Sequence, residues 1–109
     1  MRTTTAFAAL FTLMFFSAAA HADPFAKADP KAGKSAYEEA KCQTCHNSLK
    51  DMGGDGNRIF TRPDRRVKDS QGLLRMVRLC ADRTGAAVFP EDTEHIAAYL
   101  NQQFYKFQQ

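Results

Sequence analysis

The usual signatures of catalysis are missing from this chain of 109 residues. It has no paired carboxylates at acid–base spacing, no nucleophile–base set and no glycine-rich phosphate loop, so nothing in it independently marks an enzyme. Strand-like alternation of polar and apolar residues is absent too, which leaves an all-α fold as the expected class. Its longest apolar run, Ala6 to Phe16, is too short to span a bilayer, so no stable membrane insertion is expected. A formal net charge of +3 is too small to suggest nucleic acid as a partner. Cysteine is scarce, with three residues at 42, 45 and 80, and their number is odd.

What is present begins with an export signal. Arg2 supplies a positive start, Ala6–Phe16 an apolar segment and Ala20-His21-Ala22 a small-x-small cleavage site. Cleavage after Ala22 is expected, giving a signal peptide over 1–22 and a single mature domain over 23–109 outside the cytoplasm, in a bacterium the periplasm. Losing Arg2 leaves 14 basic side chains against 12 acidic ones, still close to neutral. A domain this short builds only a thin core.

Three helices stand out in the mature region. Asp29 before Pro30 is an N-cap followed by proline at the first helical position, predicting a helix from about Pro30 to Cys45. Gly33 and Tyr37 share a face there, and an interior glycine marks a close approach by another element unless it only loosens the first turn. Asn47 to Asp69 carries turn residues (Gly53 to Asn57) and a basic stretch with few apolar anchors. Asp69 or Ser70 starts a second helix to about Asp82, with Leu73, Leu74, Val77 and Cys80 at helical spacing. Pro90, with Glu91 and Asp92 in a first turn where the helix dipole favours carboxylates, starts a third. That helix presents Ile96, Tyr99, Leu100, Phe104 and Phe107 on one face.

The chemistry concentrates in Cys42-Gln43-Thr44-Cys45-His46. Two thiols separated by two residues and followed at once by histidine form the attachment sequence for c-type haem. Each thiol adds across one vinyl group, and the neighbouring imidazole becomes the proximal iron ligand. A thioredoxin-like redox pair would instead need a strand before the motif and a βαβ setting. Zinc would need a second Cys/His pair at ligand spacing, and none follows. One covalent haem c would also supply apolar surface that so short a chain lacks.

The distal side is open in the sequence. Met76 and Cys80, four apart on one helical face, are candidates for the sixth position, each with core packing as the plainer alternative. Met52 reads as a loop residue close to the proximal side, and His95 as exposed beside Glu94. Cys80 stands as a buried inert thiol, a distal ligand or one half of an intermolecular disulfide. Of the arginines in 58–66, Arg62 is the candidate partner for a haem propionate, with a solvated basic loop or a docking patch as alternatives.

Ala32-Gly33-Lys34 to Tyr37 before the Cys42–His46 motif, with Ile96-Ala97-Ala98-Tyr99-Leu100 near the end, resembles a small class I monohaem cytochrome c. The segments Phe60-Thr61-Arg62, Phe89 to Asp92 and Tyr99 to Phe107 are similar to a subgroup of small proteobacterial cytochromes c. The resemblance implies a cytochrome c-like fold of three to four helices around one haem, with crossed terminal helices. It also implies a distal methionine in the loop before the last helix. Gly85-Ala86-Ala87-Val88-Phe89-Pro90 contains none, and no proline closely follows His46.

The function expected is single-electron transfer with a periplasmic redox protein across a small, transient contact, rather than catalysis. A vacant or weakly filled sixth position points instead to a haem protein that binds or senses NO, CO or O2. A haem subunit of a periplasmic oxidoreductase is the third reading. The oligomeric state is not legible in the sequence.

Overall fold

The computed structural model describes Met14, Phe15 and residues 22–109. The export signal expected over 1–22 therefore lies, apart from Met14, Phe15 and Ala22, outside the described residues. Among the described residues every regular element is helical, and no helix is long and apolar enough to cross a membrane. The order is α1 (Pro30–Glu39), α2 (Cys42–Asn47), α3 (Arg58–Thr61), α4 (Ser70–Thr84) and α5 (Pro90–Leu100). A π-helical turn over Asn101–Tyr105 follows α5.

Side chains just outside the helices explain where they begin. Asp29 Oδ1 accepts from the Lys31 N–H at 2.9 Å, and Pro30 follows at a position where its missing N–H is not needed. Asp69, rather than Ser70, caps α4, its Oδ1 accepting from the Gly72 N–H at 2.6 Å. Asp92 reaches back to the Phe89 N–H at 3.2 Å at the start of α5.

The single helix expected from Pro30 to Cys45 is two helices. Ala40 and Lys41 donate their N–H groups to the Ala36 and Glu38 carbonyls and close α1. Lys41 then turns into the left-handed region, at φ +58°, and α2 starts on a new axis at Cys42. The stretch from Asn47 to Asp69 also holds more order than its composition predicts. It contains α3 and buries Met52, Phe60 and Val67, so Met52 is a core residue and not merely a loop one. These two departures raise the helix number above the three to four expected.

The principal contact is between α1 and α5. At Gly33 a Cβ would land inside the His95 carbonyl group and 2.8 Å from the Ile96 nitrogen, so only glycine admits this approach. His95 also ties the start of α1, its Nδ1 accepting from the Asp29 N–H at 2.9 Å. Around the contact the core collects Tyr37, Phe60, Val67, Leu73, Ile96, Ala97, Leu100 and Tyr105.

Past Leu100 the single apolar face expected through Phe107 gives way. Lys106 N–H bonds the Asn101 carbonyl at 2.8 Å, an i to i+5 closure that widens the last turn. The buried Asn101 amide holds both backbone groups of Phe107, accepting at 2.7 Å and donating at 3.2 Å. The turn brings Phe104 and Tyr105 onto Phe60, at ring separations of 5.0 and 5.9 Å, and stacks Phe107 on Tyr105.

Candidate functional site

Cys42 opens α2, and Cys45 follows one turn later, so the two side chains lie on neighbouring positions of one helical face. Cys42 is half-buried and Cys45 exposed. His46, next in the helix, turns its half-buried ring edge-on to Phe60 at 5.3 Å and towards Tyr37 at 6.0 Å. Burial lowers the imidazole pKa below its ordinary value, so the ring is neutral at neutral pH.

A line of polar atoms runs away from that ring. His46 Nδ1 lies 3.1 Å from the Tyr37 hydroxyl, which is 2.9 Å from Gln43 Oε1. Gln43 Nε2 donates to Asn47 Oδ1 at 2.8 Å, and the Gly56 N–H donates to the same oxygen at 2.7 Å. Gly56 can approach because it has no side chain: a Cβ there would sit 2.6 Å from the Asn47 nitrogen. The loop after α2 thereby folds back onto the last turn of α2. Burial pushes the Tyr37 phenol well above its ordinary pKa, so its hydroxyl keeps its proton. His46 Nε2 has no protein partner among the described hydrogen bonds.

The other candidates are less alike than their sequence spacing implies. Cys80 is exposed rather than packed away, and it lies within electrostatic reach of the motif: burial first, then Cys80 and Cys45, raise the Cys42 thiol. Desolvation by the protein atoms flanking its sulfur likewise raises the Cys80 thiol, exposed as the residue is, with Arg83 opposing and Cys45 adding. Met76 is half-buried and packed against the core, one turn earlier along α4. Among the described residues no three His, Cys, Asp or Glu side chains converge as a donor set for a metal ion.

Arg62 has a partner other than a propionate, donating through Nε and Nη2 to the two Asp64 carboxylate oxygens at 2.6 and 2.8 Å on an exposed turn. Arg65 is better anchored. Its guanidinium lies 4.9 Å from the Tyr105 ring centre and donates to the Phe60 carbonyl at 2.9 Å. His95 is occupied at the α1–α5 contact, as an acceptor from the chain.

The residues at the motif fit a c-type haem: two thiols on one turn, an adjacent neutral imidazole held through Nδ1, and Nε2 left over to donate. No protein-family model, curated protein or solved structure matches the chain. Tyr37, Gln43, Asn47 and Gly56 are site residues that spacing alone did not single out. Gln43 and Asn47 lie four apart across His46, and that offset is the one local signal they carry.

Proposed function

We propose that this chain is a periplasmic c-type cytochrome that carries single electrons on one haem c, with Cys42 and Cys45 as its covalent attachments and His46 as proximal ligand. The observation that carries the reading is the α2 turn itself: two neighbouring thiols, then an imidazole gripped at Nδ1 with Nε2 unengaged. Bound there, the haem supplies a one-electron iron couple. The chain does the rest. Thioether links prevent dissociation, and the Phe60 ring packs against one side of the imidazole to limit its rotation. The glycine-mediated crossing of α1 and α5 supports the likeness to small class I cytochromes c.

A thiol–disulfide oxidoreductase is less well supported. Its attacking cysteine needs a depressed pKa, whereas burial raises that of Cys42, and a helix rather than a strand precedes the motif. On the distal side Cys80 is the better candidate than Met76. Its side chain is exposed, while Met76 is packed against the core. A metal deprotonates a coordinating thiol outright, and thiolate ligation would lower the reduction potential. Exchange with a redox partner would use a small, transient contact.

The test is the chain exported with its own leader in a host that attaches haem c. Mature protein one haem heavier than its polypeptide, with a low-spin reduced spectrum indifferent to CO, supports the carrier. A high-spin spectrum shifted by CO would replace it with a gas-binding protein. Stable co-purification with a catalytic subunit would make it a component of a periplasmic oxidoreductase.

A further inference from the structure

We propose that Tyr37, Gln43 and Asn47 form a one-directional hydrogen-bond relay that holds the His46 proton on Nδ1 and tunes the iron from the proximal side. The inference rests on the haem reading above and adds to it the residues that set the proximal ligand's character.

The direction of the relay follows from its far end. A backbone N–H only donates, so the Gly56 N–H fixes the oxygen, not the nitrogen, of the Asn47 amide at the contact of 2.7 Å. That oxygen then requires a donor from Gln43, which places Gln43 Nε2 at 2.8 Å and turns Oε1 towards Tyr37. Gln43 Oε1 can only accept, so the one Tyr37 hydroxyl proton is spent on it at 2.9 Å. At 3.1 Å from His46 Nδ1 the tyrosine oxygen is left as an acceptor, and the ring must supply the proton. A neutral imidazole with its proton on Nδ1 carries its lone pair on Nε2, the atom without a protein partner. One backbone amide thus sets the tautomer of the iron ligand through three side chains.

The arrangement has two consequences. The relay supplies the hydrogen bond that orients the imidazole, and no proline close behind His46 is needed for it; the first is Pro63, seventeen positions on. It also makes the ligand more basic, because a hydroxyl that donates onward is a stronger acceptor. A more basic imidazole favours oxidised over reduced iron and lowers the potential.

Tyr37→Phe tests this, since it keeps the buried ring and removes only the hydroxyl. In the haem-loaded full-length protein the midpoint potential should rise by the equivalent of about tenfold in the oxidised-to-reduced ratio, roughly 59 mV for one electron. Gln43→Met, at a position outside the core, should raise it less. The double variant should move no further than Tyr37→Phe alone, because Gln43 acts only through Tyr37. Unmoved potentials in haem-loaded variants, or shifts that simply add, would overturn the relay and leave the haem reading standing. Wild-type protein isolated without covalent haem would overturn the haem reading and the relay's purpose with it. If Tyr37→Phe fails to accumulate, the Gln43→Met potential decides alone, a rise supporting the relay and no change refuting it.

Discussion

Replacing Gly33 by alanine separates contact from propensity, because the two push in opposite directions. In an exposed helix interior the change should stabilise by about 1 kcal/mol, since alanine is the better helix former. At this position the added methyl would enter the His95 carbonyl group and come within 2.8 Å of the Ile96 nitrogen. Both obstacles are backbone, so neither can rotate aside. The helices must separate, which loosens the packing of Tyr37, Ile96, Ala97 and Leu100 and strains the Asp29–His95 hydrogen bond. Overpacking of a tight core costs about 1–3 kcal/mol and sometimes more, and the backbone obstruction places this case at the upper end. The expected net loss is about 2 kcal/mol after the propensity gain. For a domain of this size that lowers the melting temperature by about 8–16 °C. Paired thermal and urea unfolding of wild type and Gly33→Ala measure it, with Gly72→Ala in α4 as comparison, where a Cβ meets only side-chain atoms at 3.0 Å or more. A Gly33→Ala protein as stable as wild type, or more so, would refute the close-packed crossing.

Other outcomes follow from single contacts. Asn101→Leu should destabilise by about 1–3 kcal/mol, because it strips the hydrogen bonds from both backbone groups of Phe107; urea unfolding measures the loss. In the haem-loaded protein Cys80→Ser should change the spin state or potential while Met76→Leu should change neither, and both should keep covalent haem; absorption spectra decide. In the chain without haem, burial holds His46 below its ordinary pKa of 6.5, so the unfolded state binds the extra proton first. That contribution is complete above pH 6.5 and is lost as pH falls below it towards the lower folded value. Urea midpoints on either side of that pH should show the loss, and His46→Asn should remove it.

The helix starts were legible because their signals are local. Asp29 directly before Pro30, Asp69 three residues ahead of the Gly72 N–H that it caps, and Pro90 with Asp92 close behind all act within one turn. Gly33 was legible only as one of two alternatives, a close approach or a loosened first turn, and the His95 backbone against it decides for the first. The break at Lys41 was not legible, since lysine carries no turn signal, yet its backbone takes the left-handed conformation. The π-helical turn at Asn101 escaped for a similar reason. Its cause is a buried amide reaching six residues ahead, which helical periodicity does not encode. At the site, the motif is a pattern of neighbours and could be read directly. The relay joins Tyr37 on α1 and Gly56 in a loop to α2, and such a junction exists only after folding. Arg62 illustrates the limit of sequence in another way: its neighbours did not announce the pairing with Asp64, two residues away, that the fold forms.

The proposed haem would be stitched to α2 through the sulfurs of Cys42 and Cys45. Intact-mass and reduced-spectrum measurement of the mature exported chain, beside a Cys42→Ser/Cys45→Ser variant, tests it most directly. One covalent haem is expected in wild type and none in the variant. A colourless wild type whose Cys42 and Cys45 are free thiols, or are joined to each other, would contradict it.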